Sequence, residues 1–291
     1  MDLPAESQIR WILRSTAALL QQGAEPVRGT ILPTGEHFPD TFDGSPQSVA
    51  DLLSRIQDHA GLSDVDVELS MVTPEGELEK TGCGTTSGGC CGGGAATGAA
   101  FSRVAHNADG SYAVVVPALE VRSPTVLTAG LVRVVAYIFM TEADAYRGVL
   151  DTDREALTDL AGVLLGFGVL LANGSHLYVR GCHGVAVKSA TRMPVEEITL
   201  ALAIFGNLFD VPARRLSMHL EPTPAEHFNG AEAWVRSNAG LFRLLRAQPQ
   251  RIENGSFALA PARSFLSRLL GAGAAKRAIP IDEELAELEH A

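Results

Sequence analysis

Basic residues, aromatics and long hydrophobic runs are all in short supply in this chain. Lys and Arg number 23 against 34 Asp and Glu, for a net charge of −11 over 291 residues. A surface of that sign repels phosphate backbones and anionic lipid, so neither nucleic acid nor a membrane is an expected partner. Aromatics make up 6% of the chain while hydrophobic residues make up 46%, so the core must be built from Ala, Leu and Val. The longest uninterrupted apolar run, residues 160–172, falls short of the ~20 residues that span a bilayer. The opening Met1-Asp-Leu-Pro-Ala-Glu6 has neither the basic start nor the apolar stretch of a secretory signal, and a cytoplasmic address is expected. Several catalytic signatures are missing as well. There is no Gly-x-Ser-x-Gly elbow, no cysteine-protease signature, no dinucleotide fingerprint, no Gly-Lys-Ser/Thr phosphate loop and no tandem repeat.

What the chain does have is a pair of apolar helices near its middle. Residues 126–140 are apolar on nearly every face, and residues 154–172 begin polar and become uncharged from Leu160. Arg133 is the one charged residue in the first of them. A guanidinium does not lose its proton, and burying it unpaired costs several kcal/mol, so it needs an acid or a path to water. Glu155 and Asp159, four apart at the start of the second helix, share a face and sit where the helix dipole favours carboxylates. Pairing of Arg133 with one or both is the expectation; the alternative is that Arg133 snorkels to solvent. The glycines Gly162, Gly166 and Gly168 fit close packing of the second helix inside a protein.

The order strand, helix, helix over residues 112–172, with Glu155-x-x-x-Asp159 on the second helix, resembles bacterial zinc metallopeptidases of the gluzincin type. In that class the first helix carries His-Glu-x-x-His: two His and the later Glu hold zinc, the first Glu activates water, and the later Asp orients a ligand. Aligning the helices places Gly130 and Val134 at the His positions and Leu131 at the general base, and none of these can hold zinc or activate water. The resemblance therefore implies a zincin-like fold, no bound cofactor and no peptidase activity. Arg133, one turn from Gly130, would then supply the positive charge that the metal once gave the two acids.

Elsewhere the chain alternates clear elements with irregular text. Residues 6–22 read as an amphipathic helix with Gly23 as its stop. Residues 24–44 are punctuated by Pro and Gly; His37, Asp40 and Asp43 within them either face a site or serve turn chemistry. Ser45 as cap and Pro46 at the first position open a helix, with Gly61 after it. Residues 64–72 alternate as a strand, and residues 77–81 can pair back on it. Residues 99–106 and 111–117 form a hairpin about Asn107-Ala-Asp-Gly110, with His106 exposed at its end. Residues 177–180 read as a short strand, and 181–192 as loop. Pro194 then opens a buried helix through Val195, Ile198, Leu202, Phe205 and Phe209. Residues 224–246 and 262–270 read as further helices, and 281–290 as an acidic amphipathic end. His176, His219 and His227 have no partner at ligand spacing and read as surface histidines.

The glycine-rich segment from Gly82 holds Cys83, Cys90 and Cys91, while Cys182 adjoins His183 in another loop. If the two loops meet, four thiolates can bind zinc or another soft metal, although the spacing matches no paired Cys-x-x-Cys site. A disulfide from Cys83 to Cys90 or Cys91, or simply reduced thiols, are the other readings. The whole predicts an α+β fold, with a small, mostly antiparallel sheet packed on buried helices and a helical C-terminal part. The expected divisions are a lead-in over 1–44, a zincin-like unit over 45–210 and a helical extension over 211–291. The expected function is non-catalytic binding of a peptide, protein or small ligand in the remnant cleft about Gly130, Leu131, Arg133, Val134, Glu155 and Asp159. The alternative is a metal-binding or thiol-dependent protein that uses the cysteine loop.

Overall fold

A computed structural model describes residues 3–72, 103–181 and 184–260. The cysteine-bearing segment, Cys182, the back-pairing over 77–81, and the helices expected at 262–270 and 281–290 lie outside the described residues. The fold is α+β, as expected. Strand β1 (Val67–Val72) runs parallel to β3 (Tyr112–Pro117), and β2 (Val104–His106) pairs antiparallel on its other side, giving the order β1-β3-β2. The central strand buries Tyr112, Val114 and Val116, as alternation requires. Gly110, at φ +88°, closes the turn between β2 and β3, where Asn107 N–H donates to the Ser111 carbonyl at 2.8 Å. Tyr112 Oη donates to Glu142 at 2.5 Å, fastening the sheet to the far end of a core helix. Burial first, and then Glu142, raise the Tyr112 hydroxyl well above its ordinary value.

The N-terminal helices follow their sequence signals closely. Helix α1 (Glu6–Gln21) buries Ile9, Ile12, Leu13 and Leu19. Helix α2 (Pro46–Ala60) starts where Ser45 Oγ accepts from Ser48 N–H at 3.2 Å and stops at left-handed Gly61. The two central helices are α3 (Pro124–Glu142) and a composite of α4 (Asp151–Gly162), a π-helical segment Val163–Phe167 and α5 (Gly168–Gly174). By length and composition both Pro124–Glu142 and Asp151–Gly174 are apolar enough to cross a membrane, at mean hydropathies of 1.5 and 1.7. In the structure 56% and 89% of those windows are buried within the protein, which is the packing of core helices.

Gly162, Gly166 and Gly168, three of the four glycines in the composite helix, divide by function. A Cβ on Gly162 would come within 2.9 Å of Leu171, and one on Gly168 within 2.8 Å of Leu202, which is the close packing expected of them. Gly166 instead breaks the helix at φ +102°, and its carbonyl accepts from Ile31 N–H at 2.9 Å. The irregular lead-in thus crosses the core helix at a point where a side chain would lie 2.3 Å from the Gly29 carbonyl oxygen.

The C-terminal half departs from expectation in two places. Residues 181–192, expected as loop, contain β5 (Gly184–Lys188), which pairs antiparallel with β4 (Leu177–Gly181). The Val-Ala-Val alternation there carries a hairpin that leaves Tyr178 68% and Val187 55% exposed, so that face gave no burial signal. Helix α6 (Val195–Leu208) is buried as expected, and a short α7 (Ala213–Ser217) follows. The single helix expected over 224–246 is two, α8 (Pro222–Ser237) and α9 (Ala239–Ala247), broken at Asn238. The Asn238 side chain leaves the helical pattern to exchange two hydrogen bonds with the Ala260 backbone, at 2.8 and 3.2 Å. Helix α10 (Pro249–Glu253) packs on α1, where Arg14 donates to the Glu253 carbonyl at 2.8 Å. One cluster of buried side chains runs from Ile9 to Ile252.

The helix break gives a sharp comparison of two glycines. Gly166→Ala is expected to destabilise by about 3 kcal/mol or more, since strain from positive φ adds to a backbone clash. Gly23→Ala, at φ +84° but with nothing within 4 Å, should cost only about 1 kcal/mol. Urea unfolding of both variants checks this; equal losses would refute the account of the break.

Candidate functional site

Arg133 lies in the middle of α3 with its side chain 5% exposed, facing α4. Nε donates to Asp159 Oδ1 at 2.5 Å, Nη2 donates to Glu155 Oε2, and Nη1 donates to the Ala190 carbonyl at 3.3 Å. Asp159 is fully buried. Its second oxygen accepts from the backbone N–H groups of Arg192 at 2.6 Å and Met193 at 2.9 Å. The expected pairing with both acids is therefore present. What sequence reasoning missed is the third participant, the backbone of residues 190–193. That turn is itself tied down: Ala190 N–H donates to the Gly174 carbonyl, and Thr191 Oγ1 to the Met193 carbonyl. Backbone donors have no sequence signature, so no signal pointed to them.

The electrostatics follow from the burial. Burial raises the Asp159 carboxyl above its ordinary value, while Arg133 and the two N–H groups pull the other way. Burial also opposes the charge on Arg133, yet Asp159 and then Glu155 hold its pKa above the ordinary value. Every group on the Asp159 side is satisfied. Glu155 Oε1 is buried with no hydrogen-bond partner among the described residues.

Gly130, Leu131 and Val134, expected at the remnant site, have other surroundings. Leu131 and Val134 are each 2% exposed and belong to the apolar core. Gly130 lies against a second ion pair that the sequence did not suggest. Arg103 grips Glu120 with two bonds, Nη1 to Oε2 at 2.7 Å and Nη2 to Oε1 at 2.6 Å. A Cβ on Gly130 would lie 3.3 Å from that guanidinium. One turn of α3 is thus flanked by two arginine–carboxylate pairs, both largely closed to water.

Open space lies elsewhere. A cleft of about 540 Å³ is lined by the lead-in, α2 and the first turn of α3, including Phe38, Phe42, Leu52, Arg55, Leu127 and Thr128. None of the six remnant-site residues lines it. Of the lead-in candidates, Asp40 lines this cleft and pairs with Arg55 at 2.9 Å. His37 hydrogen-bonds Thr34 at 3.1 Å and meets His59 edge-on at 5.8 Å; burial lowers its pKa. Asp43 serves the turn: its carboxylate accepts from Ser45 N–H at 2.9 Å, and hydrogen bonds from Ser45 push its pKa down to about 2. His106 is exposed and stacks on Tyr112, and His176 meets Tyr178 edge-on. Among the described residues no three His, Cys, Asp or Glu side chains are grouped to hold a metal ion. The expected Cys83, Cys90, Cys91 and Cys182 cluster lies outside the described residues.

Fold and site together define an α+β protein whose central helices are locked by a buried arginine–dicarboxylate triad. Compared with known proteins, the chain matches no family model, no curated protein and no solved structure.

Arg133→Met, which leaves two carboxylates buried without their cation, is expected to destabilise by about 3–5 kcal/mol. Adding Glu155→Gln and Asp159→Asn to it should recover part of that loss, because no buried charge then remains. The pH dependence has a definite sign. A carboxyl whose folded pKa lies above its unfolded one holds its proton longer in the native state, so stability falls as pH rises between the two values. Loss of Arg133 widens that interval for Asp159, so the deficit of Arg133→Met should shrink as pH falls; urea midpoints from pH 4 to pH 8 test it. A deficit that grows on acidification would contradict the triad. For Asp43 the sign is opposite. Its contribution is present above the ordinary carboxylate value, is lost as pH falls toward about 2, and should be absent in Asp43→Asn when the two proteins are titrated side by side.

Proposed function

We propose that this chain is a non-catalytic, metallopeptidase-like protein that binds a ligand rather than hydrolysing one. The observation that carries the proposal is the occupation of the would-be metal position. A permanent guanidinium sits on both carboxylates that a gluzincin would turn to zinc and to its ligand. The neighbouring Gly130, Leu131 and Val134 offer neither imidazole nor general base. Ligand entry at the triad itself has little support, because Asp159 is fully buried. The cleft between the lead-in, α2 and α3 is the better candidate, within the size range of small-molecule sites. The reading includes a cytoplasmic address, with both apolar helices belonging to the protein core.

Metal analysis and a peptide-hydrolysis screen of the purified full-length protein test this reading. The expected result is no cleavage and no zinc that depends on Glu155 or Asp159. Hydrolysis abolished by Glu155→Ala would overturn it. Stoichiometric zinc lost on Cys83→Ser or Cys90→Ser would also overturn it, placing the chemistry in the cysteine-bearing segment.

A further inference from the structure

Among the described residues, the lining of the cleft beside α3 has one basic and one acidic side chain, and they are bonded to each other. Arg55 donates through Nε at 3.1 Å and Nη2 at 2.9 Å, both to the single oxygen Oδ2 of Asp40. This is half of what the guanidinium fork can do. A free carboxylate would take both parallel donors, one on each oxygen, which is the stronger arrangement. The existing pair is also easy to exchange. Its side chains are 32% and 50% exposed, and an ion pair so open to water contributes little. Arg55 projects from a regular helix, whereas Asp40 belongs to the irregular lead-in, so the acid is the partner able to withdraw. The rest of the lining is mixed: an apolar wall of Phe38, Phe42, Leu52, Leu127 and Leu170 is interspersed with threonine and serine hydroxyls and the Asn173 amide.

We infer that this cleft binds a small amphipathic monocarboxylate. Its carboxylate replaces Asp40 on Arg55, and its hydrocarbon part covers the apolar wall. This rests on the reading of the cleft as the ligand site given above and adds to it the chemical class of the ligand. Asp40 is then a built-in competitor that holds Arg55 until the ligand arrives. The sign of its effect is what distinguishes this arrangement from a merely greasy pocket. A cation-binding pocket would need Asp40; a carboxylate-binding pocket is hindered by it.

Calorimetric titration of the full-length protein with decanoate, decanol and decylammonium, each below its aggregation threshold, tests the inference. Decanoate should bind about tenfold more tightly than decanol, the difference one charge-assisted fork supplies, and decylammonium most weakly. Arg55→Gln should reduce decanoate to the level of decanol, and Arg55→Lys should fall between. Asp40→Asn should tighten decanoate severalfold. Thermal midpoints of each variant confirm folding, and amide shifts at Leu127 and Thr128 locate the binding. Equal affinity for decanoate and decanol with shifts at those residues would sink the carboxylate assignment and leave the cleft a ligand site. Tighter binding of decylammonium, weakened by Asp40→Asn, would reverse the assignment. Absence of binding by all three, or shifts confined to other parts of the fold, would overturn the inference outright.

Discussion

A guanidinium buried in an apolar helix is the constraint around which the rest of this structure is arranged. Arg133 cannot be neutralised and cannot reach bulk water, so the fold must bring acids to it. Asp159 in turn is fully buried, and its second oxygen must be satisfied, which recruits the backbone of Arg192 and Met193. Helix α3, helix α4 and the turn leading into α6 are thereby held in one relative position. Such a network is a weak source of net stability, because desolvating the three charges offsets most of their attraction. Its consequence is geometric: any packing that separates these elements leaves an unpaired buried charge.

The same helices also define where a ligand can and cannot go. The composite helix breaks at Gly166, and the lead-in crosses there through the Ile31 bond to the Gly166 carbonyl. That crossing sets the lead-in over the first turn of α3 and forms the wall of the cleft that carries Phe38 and Asp40. Further along the same helix, the triad and the Arg103–Glu120 pair fill the interior with paired charge. Open space and buried charge therefore occupy different parts of α3, and the ligand-binding proposal follows the open space.

Much of this was legible in the sequence where a single residue forces an outcome. Ser45, Pro46 and Gly61 bound their helix because a cap, a fixed φ and a left-handed stop act locally. Arg133 announced its acids because an apolar surrounding permits few alternatives. The strand alternation in residues 67–72 and 112–117 was plain, but the parallel pairing of β1 with β3 was not, since register between distant strands leaves no local trace. Gly166 was visible as a glycine and misread as packing, because Gly162 and Gly168 on either side do pack closely. The Arg103–Glu120 pair was missed for a related reason: its partners lie on different elements, neither of them apolar enough to demand a counter-charge. The turn at Asn238 likewise depends on a tertiary partner, the Ala260 backbone, rather than on propensity.

The central claim is that a permanent cation, Arg133, is locked between two largely buried acids. Solvent exchange of the Arg133 Nε proton, followed by nitrogen-15 NMR on the native protein, addresses it most directly. A locked guanidinium should give a single downfield Nε–H resonance that persists from pH 5 to pH 8 and exchanges only as fast as the surrounding core opens. An Arg133 signal that exchanges at the rate of an exposed arginine such as Arg28 would contradict the claim.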